Sequence, residues 1–250
     1  MTKVLLCGAC GKMGANVLAL LENDPDATVV CGVDLFPKEI GIPLYKSFAE
    51  VTEDVDVIID FSSPVGLQDR LEFAKTRGAG IVLASTGFTQ DDLATIQSYE
   101  DSVAIFRTAN LSLGINLMQA LVKAAAQVLG DAFDVEIIEK HHNLKKDAPS
   151  GTALMLADSV NEAFDGKKQF VYGREGIVGA REKKEVGIHA VRGGTIVGEH
   201  EVIFAGEDEV ITISHSAASK RVFAAGAIRA AKWLPGKAPG RYEMKDLLTE

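Results

Sequence analysis

Gly8-Ala9-Cys10-Gly11-Lys12-Met13-Gly14, between the apolar run Lys3-Val4-Leu5-Leu6-Cys7 and a helical pattern from Met13 to Glu22, decides the fold. A strand that turns on glycines into a helix offers its first helical amides to a pyrophosphate. Gly8 permits the turn, Gly11 admits phosphate close to the backbone, and Gly14 lets the helix lie near the strand. Ala9 stands where the commonest form of this fingerprint has glycine, so the pattern is G-x-x-G-x-x-G. Asp34 ends the second apolar run, 34 − 14 = 20 residues past Gly14, the place for a carboxylate that binds ribose hydroxyls. The cofactor expected is NADH or NADPH. Asp34 favours free ribose hydroxyls, whereas Lys12 and Lys38 attract an extra phosphate, and the choice stays open.

Outward from this loop, apolar runs at 28–33, 56–60, 81–84 and 103–106 alternate with helical patterns at 67–77 and 90–99. Strands apolar on both faces with helices between them predict a doubly wound parallel sheet, Rossmann-like, over residues 1–110. A helix from Ser112 to Leu129, a strand from Asp134 to Lys140 and a helix from Ser150 to Phe164 come next. Three runs then follow without helices, at 185–191, 195–204 and 210–214, which predicts an open antiparallel or mixed sheet. The expected organisation is α/β: residues 1–110 with 220–250 form the dinucleotide-binding domain, and residues 111–219 form a smaller α+β domain with an open sheet, to which the resemblance named below gives substrate binding and tetramerisation. The helix from Lys220 to Trp233, with Phe223, Ala227 and Ala231 on one stripe, returns to the first domain. A sheet with one uncovered face predicts a homo-oligomer.

A net charge of −9 over 250 residues argues against a nucleic-acid surface, which needs a dominant basic field. The chain contains no unbroken run of eighteen apolar residues, and glycines interrupt its start before a signal sequence develops, so no membrane is expected. Cys7, Cys10 and Cys31 are too few for a disulfide framework and fit a reducing, cytoplasmic compartment. Cys7 and Cys10 form C-x-x-C, but no second pair accompanies them; the spacing reads as coincidence and no metal is expected. His189, His200 and His215 read as structural or surface residues, Arg181, Lys183 and Lys184 as a solvated charge run, and Trp233 as packing.

The most informative chemistry lies in Glu139-Lys140-His141-His142-Asn143-Leu144-Lys145-Lys146-Asp147-Ala148-Pro149-Ser150-Gly151-Thr152. Pro149 stops the strand and Ser150 is an N-cap candidate, so Ser150, Gly151 and Thr152 open a helix whose end attracts a carboxylate. Lys145 adds charge and His141 supplies a proton. The competing reading is a solvated basic loop after an edge strand.

Taken together, the glycine loop and this stretch, with DFSSP at 60–64, STGF at 85–88 and TANLSLGIN at 108–116, resemble the 4-hydroxy-tetrahydrodipicolinate (dihydrodipicolinate) reductase family over the whole chain. The resemblance implies reduction of a small cyclic imine dicarboxylate by NADH or NADPH in the diaminopimelate route to lysine, and a homotetramer joined through the open sheets. It also implies catalytic roles for His141 and Lys145, and substrate binding by His142 with Ser150, Gly151 and Thr152. Dinucleotide contacts fall to Gly8, Ala9, Cys10, Gly11, Lys12, Met13, Asp34, Ala84, Ser85, Thr86, Thr108, Ala109, Asn110 and Leu111. Lys12 stands where arginine is common, Leu111 where an aromatic is common, and Leu35 lacks the positive charge some relatives carry. Two other readings stay open: a non-catalytic nicotinamide-dinucleotide sensor, and an aspartate-dehydrogenase-like enzyme.

Overall fold

The computed structural model describes residues 1–249. In chain order the elements are β1 (Thr2–Cys7), α1 (Lys12–Leu21), β2 (Ala27–Val33), β3 (Leu44–Tyr45), β4 (Val57–Asp60), α2 (Leu67–Arg77), β5 (Gly80–Leu83), α3 (Gln90–Tyr99) and β6 (Ala104–Arg107). There follow α4 (Leu113–Leu129), β7 (Asp134–His141), α5 (Gly151–Glu162), β8 (Gln169–Tyr172), β9 (Glu185–Arg192), β10 (Gly198–Ala205) and β11 (Val210–Ala217). The chain ends with α6 (Arg221–Trp233), β12 (Gly240–Tyr242) and α7 (Met244–Leu248). It divides into two compact units, Met1–Ser112 with Arg221–Glu250, and Leu113–Lys220.

The first unit is a parallel sheet ordered β12-β6-β5-β4-β1-β2-β3. All four residues of β4 and of β5 are buried, the pattern of central strands covered by helices on both faces. Leu5, Ile58, Leu71, Ile81 and Ile105 form part of its core. The expected return of the last long helix holds: α6 packs against α1 and over β4 and β5. Its buried residues are Ala224, Gly226, Ala227, Ile228, Ala230 and Ala231, a small-residue face that allows close approach. Trp233 stacks edge-on with Phe106 and Tyr242, so its role is packing as read.

The second unit is a mixed sheet ordered β11-β10-β7-β9-β8, antiparallel from β11 to β7 and parallel from β7 to β8. Along β7 the residues Val135, Ile137, Glu139 and His141 are buried and alternate with partly exposed ones, as expected for a sheet covered on one face. Met118, Val122, Leu156, Ile137, Val202 and Phe204 fill the space between this face and the helices α4 and α5. By length and composition α4 matches a membrane-crossing helix, yet its Ile115, Met118, Val122 and Ala126 are buried.

Several details differ from the sequence reading. β10 starts at Gly198 and β11 runs to Ala217, because the turn that holds Gly194 at φ +48° delays the strand. β3, β8, β12 and α7 carry too few residues to show a period. Arg181 is not simply solvated: it binds Asp134, Glu136 and the backbone carbonyls of Val135, Glu182 and Glu185. Burial alone would raise the Glu136 carboxyl, but Arg174, His189 and Arg181 outweigh it and bring its pKa to about 2.

Candidate functional site

In the first unit the glycine loop is built as its residues require. Gly8 has φ +73°, and a Cβ there would sit 2.8 Å from the Phe61 carbonyl oxygen. At Gly14 a Cβ would overlap the Ala9 carbonyl, so the turn and the helix start both depend on missing side chains. Gly11 is the N-cap of α1, and no side chain caps that end. Asp34 reaches back across the loop, accepting from the Cys10 amide at 3.0 Å and from the Phe36 amide at 3.0 Å. The carboxylate is thus fixed at the carboxyl ends of β1 and β2, the position from which ribose is read in such sheets.

Beside it opens a cleft of about 880 Å³, lined by Gly8, Asp34, Phe36, Phe48, Ser62 and Arg70 among others. Arg70 and the fully buried Asp60 form an ion pair at 3.1 Å that holds the loop after β4. Ser62 donates to the same carboxylate through its amide and hydroxyl, and Arg70 donates to the Ser63 and Val65 carbonyls. Ser85 also donates to Asp60, at 3.1 Å, so its hydroxyl is tied to this loop. Ala84 bonds to Asp60 by its backbone, and the Thr108 hydroxyl donates to the Asn110 carbonyl. Leu111 is buried, with its carbonyl pressed against Gly226 of α6. The glycine cradle, the fixed carboxylate and the adjacent cleft fit a dinucleotide.

In the second unit β7 is central, which removes the edge-strand reading of the basic stretch. Glu139 and His141, two apart on one strand, share its buried face. The His141 Nδ1 lies 2.6 Å from Glu139 Oε2. Arg192, on β9, donates to both Glu139 oxygens at 2.7 Å and to the Asp147 carbonyl at 2.7 Å. After His141 the chain turns: the Lys145 amide donates to the His142 carbonyl, and Lys145 Nζ pairs with Asp147 at 2.9 Å. That ammonium holds the Asp147 carboxyl below its usual range.

Ser150 caps α5 as predicted, its Oγ accepting from the Ala153 amide. Its own amide donates to Glu139 at 2.9 Å, and its hydroxyl meets His200 Nε2 at 3.1 Å. Both polar groups of Ser150 are therefore committed inside the protein, and Gly151 and Thr152 follow it in the first turn of α5. Gly151 is exposed. His200 stacks edge-on against His141 at 5.2 Å. Burial, with His141 adding to it, pushes the His200 imidazole down to about 4. Opposite His141, a Cβ on Gly198 would stand 3.1 Å from Nε2, so this glycine keeps that nitrogen accessible.

Glu139, Arg192 and Gly198 were given no role by the sequence reading, and His200 was read as structural or surface. Only Glu139 left a signal, the i, i+2 spacing that puts it on the face of His141; the others arrive through sheet register.

Comparison with known proteins covers the whole chain. The family described as "Dihydrodipicolinate reductase, N-terminus" matches residues 2–111, and "Dihydrodipicolinate reductase, C-terminus" matches 114–248. A 4-hydroxy-tetrahydrodipicolinate reductase from Caldanaerobacter subterraneus subsp. tengcongensis is 50% identical over 248 residues, covering 99% of this chain and 98% of that one. One from Clostridium botulinum is 44% identical with the same coverage. The solved structure of a dipicolinate-bound dihydrodipicolinate reductase from Paenisporosarcina sp. TG-14 superposes with a TM-score of 0.79 at 25% identity, covering 97% of each chain.

Proposed function

The chain belongs to the dihydrodipicolinate reductase family, and we propose that it reduces 4-hydroxy-tetrahydrodipicolinate, or its dehydrated form, to tetrahydrodipicolinate in the diaminopimelate route to lysine. NADH or NADPH supplies the hydride when bound. Gly8, Ala9, Cys10, Gly11, Lys12 and Met13 would receive its pyrophosphate, Asp34 its ribose, and residues 84–86 and 108–111 would flank the remainder. The observation that carries the reading is the loop from His141 through Lys145 into the N-terminus of α5, tied together by Glu139.

His141 protonates the ring carbon next to the one that receives hydride, so that the substrate gains two hydrogens across one double bond; starting from the hydroxylated form, the ring hydroxyl also leaves as water, which creates that double bond. Lys145 and the first turn of α5, at Gly151 and Thr152, hold substrate carboxylate by charge and by oriented amides, with His142 beside them. Holding the ring by its carboxylates aligns it for hydride and proton delivery, so much of the rate advantage comes from orientation.

The open face of the second sheet carries Ile138 and Ile203 with the exposed Val191 and Val210, which supports assembly through that face into a homotetramer. Three unpaired cysteines fit the cytoplasm. The test is the initial rate of NADH and NADPH oxidation with the fresh condensation product of pyruvate and aspartate semialdehyde. Substrate-dependent oxidation is expected, with loss of about 10²-fold or more in His141→Gln and a raised KM in Lys145→Ala. Tight dinucleotide binding without turnover would reject the reading.

A further inference from the structure

Glu139 is fully buried yet carries a charge. Burial by itself would raise its carboxyl, and the hydrogen bonds from Arg192, His141 and the Ser150 amide outweigh that and hold it below the usual range. Its four contacts are all with nitrogen: two from Arg192 at 2.7 Å, the Ser150 amide at 2.9 Å, and His141 Nδ1 at 2.6 Å. An ionised carboxylate can only accept hydrogen bonds. The proton in the short contact to His141 must therefore sit on Nδ1. In the neutral ring Nε2 is then bare, and Nε2 is the nitrogen that Gly198 leaves uncovered.

We infer that Glu139 is a positioning residue for the proton transfer: it locks neutral His141 as the Nδ1–H tautomer, so that Nε2 is the nitrogen that takes a proton from solvent and then gives it to substrate, and, through the Ser150 amide, it registers that histidine to the helix end that holds substrate carboxylate. Arg192 is the second part of the device. Its guanidinium holds Glu139 ionised and, through the Asp147 carbonyl, anchors the loop that carries Lys145. One buried carboxylate thus sets the relative placement of the proton donor, the lysine loop and the anion-binding turn. A purely structural ion pair would need neither the contact to His141 nor the open Nε2.

The inference rests on the proposed reductase reading for the role of His141, and its test separates the two. The full chain is labelled with ¹⁵N-histidine, and His141 is assigned by the signal that disappears in His141→Gln. Long-range ¹H–¹⁵N spectra, recorded at a pH where the ring is neutral, then report which nitrogen carries the proton. The expected result is a protonated Nδ1 and a bare Nε2 in the unmodified protein, shifting to a tautomer mixture in Glu139→Gln. In steady-state kinetics Glu139→Gln is expected to lose about 10²-fold in kcat while KM changes little, the mark of an interaction that matters in the transition state.

A proton on Nε2 in the unmodified protein overturns the inference, and this readout requires no variant to fold. Parental kcat in Glu139→Gln alongside a crippled His141→Gln overturns it equally. If the unmodified protein does not reduce the substrate at all, the reductase reading falls, and the tautomer spectrum still decides whether Glu139 orients His141.

Discussion

His200→Gln tests whether a buried neutral histidine underlies the candidate site. His200 is 4% exposed, with its Nε2 on the Ser150 cap, and its pKa is pushed by burial from the ordinary 6.5 to about 4. The folded value lies below the unfolded one, so the unfolded chain takes up the proton first. Stability is therefore whole above pH 6.5 and falls as pH drops, until about pH 4. The gap, at about 1.4 kcal/mol per pH unit, amounts to about 3 kcal/mol, of which about 2 kcal/mol is already lost at pH 5. Glu136 and Glu139 act in the same sense but lower down: their depressed values stabilise the fold above about pH 4.5, and that support is lost only below it. The window from pH 8 to pH 5 therefore isolates histidine. Burial also lowers His215, but that residue is common to both proteins. Urea unfolding is followed by far-ultraviolet circular dichroism, since Trp233 lies in the first unit. The parent is expected to lose about 2 kcal/mol more than His200→Gln between pH 8 and pH 5. Parallel losses in the two proteins would refute the reasoning.

Arg70→Met strands the buried Asp60 without its counter-charge and should cost about 3–5 kcal/mol, seen as a lower Tm by Trp233 fluorescence; an unchanged Tm would remove the ion pair from the account of the loop after β4. Gly8→Ala, at φ +73° and 2.8 Å from the Phe61 carbonyl, should weaken dinucleotide binding by about 1–3 kcal/mol, measured by calorimetric titration, and parental affinity would contradict the cradle. Gly198→Ala places a methyl 3.1 Å from His141 Nε2; kcat should fall while the dinucleotide Kd holds, and an unaffected kcat would mean that Nε2 does not meet substrate.

The first unit was legible because its signals are local. Strands buried on both faces read as apolar runs, α2 and α3 fall at 67–77 and 90–99 as the periodicity predicts, and the glycines and Asp34 announce the cradle at fixed spacing. Two- to four-residue strands such as β3, β8 and β12 complete no period, and pairing with a neighbour is what makes them strands. In the second unit the basic stretch and the Ser150 cap were legible for the same local reasons. The residues that give the cluster its chemistry were not. Arg192 lies 53 positions from Glu139 and His200 lies 50 from Ser150, and only the pairing of β7 with β9 and β10 unites them. A lone histidine in a strand looks structural until its neighbour across the sheet is known.

The most direct test of the central claim follows the hydride itself. The protein is mixed with the cyclic condensation product and NADH carrying deuterium at the transferable C4 position, and the products are read by mass spectrometry. The account predicts tetrahydrodipicolinate bearing one deuterium, formed in step with NADH oxidation; label that stays on the dinucleotide while the substrate is unchanged would contradict it.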